Sequence, residues 1–261
     1  MNDIKITIIG GGNLGKAIAE GLLSNQTFVP SNLTITKRNL HLLNDFKTRG
    51  VQITDNNSEA IKNASIIILA VKPYNLEGIC SEISSELKPD QILVSTASGV
   101  DIQTIKASFN SEQQVVRAMP NTAADVQESV TCICGDVDKS AFTKVEELFN
   151  NCGTTLKISE DLMEAATVLG ACGIAYVLRF MRAMVQGGIQ IGFDSKTAEA
   201  IVNQTVKGAA SLLIEKGNHA EAEIDKVTTP KGCTIAGLNE MEHNGFSSAL
   251  IKGITTSFEA I

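Results

Sequence analysis

A chain of 261 residues with 43% hydrophobic content is long enough to bury a sizeable core or two domains, and it is too apolar to be a disordered chain. Its formal charge of −7 comes with Lys and Arg scattered along the chain, which excludes the basic stripe of a nucleic-acid surface and suits soluble metabolism. Asp3 and Lys5 lead straight into a strand-length run, without the charged-then-apolar pattern of a secretory signal.

The longest apolar reach, residues 165–178, is about two-thirds of a membrane span, and Arg179 closes it. A cytoplasmic protein is expected, with no membrane and no nucleic-acid partner. Six cysteines (80, 132, 134, 152, 172 and 233) in a chain this large read as reduced thiols. Cys132 and Cys134 alternate within a strand pattern and have no second Cys or His pair, and the three histidines show no ligand spacing, so no metal site is expected.

An apolar run at 4–9 enters Gly10-x-Gly12-x-x-Gly15 and leaves as a helix over 16–23. In such a turn the first glycine permits a tight bend and the second lets a pyrophosphate approach the backbone. The third lets helix and strand pack closely, and the phosphates face the free N–H groups of the helix. A second strand at 33–36 ends on Thr36-Lys37-Arg38-Asn39. An NAD-preferring fold places Asp or Glu at this point, so a cationic tip favours the 2′-phosphate of NADP(H).

Strands and helices then alternate. A helix pattern over 40–48 precedes a strand at 51–54, and Asn56-Asn57-Ser58 offers a cap to a short helix. The run 65–71 is continuously apolar, as a parallel strand covered on both faces should be, and stops at Lys72-Pro73. A helix over 76–87 and a strand over 91–96 follow, the strand opening into Ala97-Ser98-Gly99, where small side chains let a flat ring come close. Further strands are expected at 115–121, 129–134 and 154–158, the last at an edge, with a helix over 139–150. This alternation predicts an α/β fold: a Rossmann-type doubly wound sheet over residues 1–160.

From 161 to 261 strand signals vanish, leaving helices over 162–190, 195–216 and 234–257, the last broken at Gly245. The segment 168–185 is apolar on nearly every side, which predicts an all-α dimerisation domain whose helix a second subunit covers. Between these helices, Thr229-Pro230-Lys231-Gly232-Cys233-Thr234 offers hydroxyls, a glycine and a helix N-terminus to a small carboxylate.

LAVKP at 69–73, STASGV at 95–100, RAMPNT at 117–122 and TPKGCT-IAGL at 229–238 together resemble the pyrroline-5-carboxylate reductase family over essentially the whole chain. The resemblance implies hydride transfer from NADPH, or NADH, to the imine carbon of L-1-pyrroline-5-carboxylate, giving L-proline in the last step of proline biosynthesis. It implies a homodimer, and in larger assemblies a decamer of five dimers. Carried onto this chain, Gly10, Gly12, Asn13, Leu14 and Gly15 hold the pyrophosphate, and Thr36, Lys37 and Arg38 face the adenosine end. Asn57 with Ala70, Val71, Lys72 and Pro73 line the dinucleotide, while Thr96, Ala97 and Ser98 lie near the nicotinamide. Thr229, Gly232, Cys233 and Thr234 bind the substrate carboxylate, and Thr167 matches a hydroxyl close to the ring nitrogen.

The chain departs from the family pattern at 170–176, which reads GACGIAY where relatives have SGSGPAY, and at Lys231, where they have glycine. These differences bear on substrate more than on fold. They leave room for a reductase of another small cyclic imine or keto acid, or for a catalytically weak nucleotide-binding paralogue.

Overall fold

The structure, a computed structural model, describes residues 4–109 and 113–261; Asp3 lies outside them. Ile6–Ile9 (β1) runs into the glycine turn and Asn13–Ser24 (α1) leaves it. The helix starts before residue 16, with Gly12 as its N-cap and Gly15 in its first turn. Its buried stripe is made largely of small residues, among them Gly15, Ala17, Ala19 and Gly21. At Gly21 a Cβ would fall 2.4 Å from the carbonyl oxygen of Ala124, so the close seat of α1 depends on this residue.

Leu33–Thr36 (β2), Asn44–Thr48 (α2), Gln52–Thr54 (β3), Asn57–Ile61 (α3), Ile66–Leu69 (β4), Pro73–Ile83 (α4), Ile92–Ser95 (β5), Ile102–Ala107 (α5) and Gln114–Met119 (β6) follow in alternation. The expected helix over 40–48 splits into a 3-10 turn, Leu40–Leu43, and α2. Asn56 caps α3 by accepting from the amide of Glu59 at 2.9 Å.

With Ser129–Gly135 (β7) and Gly153–Lys157 (β8), the sheet has eight strands among the described residues, in the order β3-β2-β1-β4-β5-β6-β7-β8. The first six lie parallel to their neighbours. Strand β7 is antiparallel to β6, because the 3-10 turn Thr122–Val126 between them is too short to carry a crossover. Lys139–Asn150 (α6) then crosses, so β8 is parallel to β7. Central strands are covered on both faces, and Ile66 through Leu69 have no exposed area. One face packs Ile8, Ile18, Leu22 and Phe149 into a core, the other Ile67, Leu76, Ile83 and Leu93. Each such side chain contributes about 1.5–3 kcal/mol by leaving water. The strand order reverses between β1 and β4, and beyond their carboxyl ends lies the crevice where such sheets bind ligands.

The chain divides into two compact units, Met1–Cys172 with Ile261, and Gly173–Ala260. This division falls beyond the expected boundary between 160 and 161, because Met163 joins the second core of the sheet unit and Thr167 and Val168 are also buried. Met163–Ala166 (α7) continues through a π-helical turn, Thr167–Cys172, into Gly173–Gln190 (α8). By length and composition the stretch Glu160–Gln190 is long and apolar enough to cross a membrane, which corrects the shorter reach read from the sequence. Arginine is a good helix former, so Arg179 ends the apolar run without ending the helix.

The second unit continues with Ser195–Lys216 (α9), Ala220–Val227 (α10), Cys233–His243 (α11) and Phe246–Glu259 (α12). The Tyr176 hydroxyl donates to Ser257 Oγ at 2.6 Å and the rings of Phe180 and Phe246 sit 6.1 Å apart, tying α8 to α12. Only Val185, Ala198 and Val202 form a buried cluster here, while Leu178, Ile191, Ile214, Ile251 and Phe258 are exposed.

Candidate active site

The three glycines of the turn meet three different steric demands. Gly10 has φ +111°, and a Cβ there would lie 2.4 Å from the Ala70 carbonyl oxygen. At Gly15 a Cβ would lie 2.1 Å from the carbonyl oxygen of Gly10. Around Gly12 there is no heavy atom within 4 Å of the Cβ position, so space is open above the backbone. Gly12 is the N-cap of α1 and no side chain caps the helix, which leaves first-turn N–H groups, those of Asn13 and Leu14 among them, to an anion. Open space beside unclaimed donors is what a pyrophosphate requires, so these residues fit a dinucleotide.

The end of β2 is tied to this turn. The amides of Gly10 and Gly11 donate to the Thr36 carbonyl at 3.3 and 2.8 Å. Lys37 Nζ donates to the Gly11 carbonyl at 2.7 Å, so this cation closes the turn. Arg38 is exposed and has no hydrogen-bond or ion-pair partner among the described residues. Thr36 is buried; its hydroxyl donates to Asn57 Oδ1 at 2.6 Å, and Asn57 Nδ2 donates to Glu82 at 2.9 Å.

A cavity of about 730 Å³ brings together Gly10, Gly12, Thr36, Lys37, Arg38, Asn57, Val71 and Lys72. Glu82, Tyr74 and Asn75 also line it, none of them marked by a motif. A larger cavity of about 860 Å³ lies between α4 and α5. It takes only Pro73 from the predicted site and touches neither the glycine turn nor the carboxyl ends of β1 and β2, so the smaller one is the better dinucleotide crevice.

Pro73 opens α4 with Lys72 as its N-cap, which turns the chain away from the sheet edge beyond Ala70 and Val71. At the end of β5, the Thr96 amide and hydroxyl both donate to the Leu69 carbonyl, at 3.2 and 3.1 Å. Thr96 and Ala97 are buried and Ser98 is half-buried. These three residues lie outside the 730 Å³ cavity, and the side chains of Thr96 and Ala97 face inward, so they offer backbone more than side chain.

Thr167 is 7% exposed and begins the π-helical turn, a feature often found at functional sites. Its hydroxyl donates to the Met163 carbonyl at 2.9 Å, which leaves the oxygen as an acceptor. Asn121 Nδ2 donates to the Gly170 carbonyl at 3.1 Å and so holds the same turn.

In the second unit, Thr229, Cys233 and Thr234 are exposed, and Gly232 is the N-cap of α11 with no side chain capping it. The Gly232 amide donates to the Thr229 carbonyl at 2.9 Å, closing a turn in which Lys231 stands at φ +60°, a left-handed position that favours glycine. A Cβ at Gly232 would lie 2.6 Å from the Thr229 hydroxyl.

A doubly wound sheet with an open glycine turn, a cationic second-strand tip and an all-helical segment defines a dinucleotide-binding protein of the oxidoreductase class. Residues 5–99 match the family model described as NADP oxidoreductase, coenzyme F420-dependent, and residues 160–261 match the one described as pyrroline-5-carboxylate reductase dimerisation. Pyrroline-5-carboxylate reductase 1 of Dictyostelium discoideum is 42% identical over 98% of this chain; the chain spans about half (49%) of that relative's length. Pyrroline-5-carboxylate reductase 2 of the same organism is 39% identical over 99% of this chain and 92% of its own length. The crystal structure of Plasmodium falciparum pyrroline carboxylate reductase with NADP bound superposes with a TM-score of 0.91 at 27% identity, covering 100% of this chain and 97% of that one. The chain belongs to the pyrroline-5-carboxylate reductase family.

Proposed function

We propose that this chain reduces L-1-pyrroline-5-carboxylate to L-proline, with NADPH preferred over NADH. The observation that carries this reading is full-length similarity to reductases of that name, in a chain whose glycine turn leaves open the space a pyrophosphate needs. NADPH, when bound, supplies the hydride. The residues do the rest by binding and orientation: the first turn of α1 takes the phosphates, and Arg38, the unengaged cation at the β2 tip, takes the 2′-phosphate.

The backbone at Thr96, Ala97 and Ser98 carries the nicotinamide. An iminium carbon is already electrophilic, so alignment and exclusion of water do most of the work. With its O–H donated to the Met163 carbonyl, Thr167 Oγ1 accepts from a protonated ring nitrogen and holds the reactive form of the substrate. The Thr229, Gly232, Cys233 and Thr234 loop takes the carboxylate at the uncapped start of α11, fixing which end of the ring meets the donor. Functionally, residues 1–160 serve the cofactor and 161–261 the substrate and the partner subunit.

The working form is a homodimer, which assembles further as a decamer of five dimers. The dimer is supported by the match of 160–261 to a dimerisation segment and by the many exposed apolar side chains of the helical unit. A cytoplasmic setting suits six cysteines that all stand unpaired. The test is purified protein with NADPH and pyrroline-5-carboxylate, followed at the nicotinamide absorbance. Oxidation with this substrate is expected. Turnover of a larger ring imine alone would move the substrate assignment, a shift that Lys231 in place of glycine would explain. Cofactor binding without turnover of either would overturn the reaction.

A further inference from the structure

Arg117 opens the RAMPNT run yet has no part in cofactor or substrate binding as described. It lies in β6 with its side chain 3% exposed. Nη2 donates to Glu164 Oε1 at 2.6 Å, and Nη1 meets Glu160 Oε1 at 3.4 Å. Both carboxylates also hold the loop that leaves β5. Glu164 Oε2 accepts from the Gly99 amide at 3.1 Å, and Glu160 Oε1 from the Ile102 amide at 2.8 Å.

Glu160 and Glu164 stand four residues apart, on one side of the helical stretch that leads into Thr167. One buried guanidinium is thereby joined, through two carboxylates, to both ends of segment 99–102. A buried ion pair is a poor device for stability alone, since apolar residues of similar volume serve as well. What the ionic arrangement adds is direction: each carboxylate faces a guanidinium N–H on one side and a loop amide on the other. Asn121, four residues beyond Arg117, grips the next turn of the same helix at Gly170. Arg117 in β6 and Asn121 just beyond it therefore hold the chain before and after Thr167.

We propose that Arg117 and Glu164 are positioning residues for the reduction, fixing the separation between the loop that carries the nicotinamide and the hydroxyl of Thr167. They touch neither substrate nor cofactor, and the inference rests on the function proposed above.

The experiment is Glu164→Gln in the full chain, since an amide oxygen replaces one of the two acceptors but not both. NADPH affinity should stay within about threefold, because the glycine turn and Arg38 are untouched, while kcat falls on the order of 10- to 100-fold. The isotope effect from deuterated NADPH should rise, and the fluorescence anisotropy of bound NADPH should fall as the ring gains freedom. Glu160→Gln should show a smaller change of the same kind, and it decides the matter if Glu164→Gln does not fold. Unchanged kcat, isotope effect and anisotropy would overturn the proposal. So would a loss of kcat matched by an equal loss of NADPH affinity. The anisotropy needs cofactor alone, so failure to reduce pyrroline-5-carboxylate would sink the functional reading while the positioning role is still decided.

Discussion

The Lys37 ammonium donates a hydrogen bond to the carbonyl of Gly11 at 2.7 Å, while its neighbour Arg38 stands exposed and unengaged among the described residues. Two cations that look equivalent in sequence thus do different work. Lys37 holds the glycine turn, and in the function proposed above Arg38 takes the 2′-phosphate that only NADPH has. Arg38→Ala should weaken NADPH roughly tenfold, the loss of one charge-assisted hydrogen bond of about 1.5 kcal/mol, and leave NADH nearly unchanged. Lys37→Ala should weaken both to a similar degree. Titration of each variant with both cofactors checks this, and an equal loss of NADPH and NADH in Arg38→Ala would remove the 2′-phosphate from that residue.

Gly12 and Gly15 predict opposite outcomes for the same added methyl group. At Gly15 it would meet the Gly10 carbonyl oxygen at 2.1 Å, so Gly15→Ala must displace backbone and should cost about 1–3 kcal/mol of stability. At Gly12 it meets no protein atom, so Gly12→Ala should stay within about 0.5 kcal/mol of the wild type. The same methyl would occupy the space a phosphate must enter, and NADPH affinity should fall tenfold or more. Thermal melts beside cofactor titrations separate the two. A destabilised Gly12→Ala that binds NADPH normally would contradict the geometry.

The cofactor half of this chain was legible because its signals are local. A glycine pattern, continuous apolar strands and caps such as Asn56, which accepts from the Glu59 amide at 2.9 Å, are written in adjacent residues. The helices 139–150 and 195–216 stand where their patterns put them. What was not legible depends on distance in sequence or on weak patterning. Helix α10, Ala220–Val227, is too short and charged to present an apolar stripe, and it is set by its His219 cap and acidic first turn. The reversal between β6 and β7 follows from a 3-10 turn that reads as an ordinary loop. Glu160 and Glu164 reach Arg117 from 43 and 47 residues away, and the π-helical turn at Thr167 has no periodicity of its own to announce it.

Thr167 is buried beneath the turn it opens, with its proton committed to Met163. In the function proposed above it serves as an acceptor and positioner, since a neutral threonine is a poor acid. Thr167→Val keeps the shape and removes the oxygen. Its kcat should fall roughly 10- to 150-fold, the equivalent of a hydrogen bond to a charged group, about 1.5–3 kcal/mol. Thr167→Ser should keep most of the activity. NADPH affinity should hold in both, which a stopped-flow binding measurement checks, and an active Thr167→Val would remove the hydroxyl from the reaction.

The cysteines divide by environment. Burial pushes the thiols of Cys80 and Cys134 up to about 11 and that of Cys152 up to about 12, because a thiolate loses its hydration there. Cys233 is exposed at the first residue of α11, inside the loop proposed to hold the substrate carboxylate. The thiolate is the reacting species, so a thiol reagent at pH 8 finds roughly one Cys152 in ten thousand ionised even before access is considered. Cys233 should be labelled first, with Cys80, Cys134 and Cys152 reacting only on unfolding, as peptide mass mapping over time will show. A bulky, negatively charged label at Cys233 places steric and electrostatic repulsion where the substrate carboxylate docks. Turnover of pyrroline-5-carboxylate should then be lost while NADPH still binds, and excess substrate should slow the labelling. Full activity after complete modification of Cys233 would take the loop out of substrate binding.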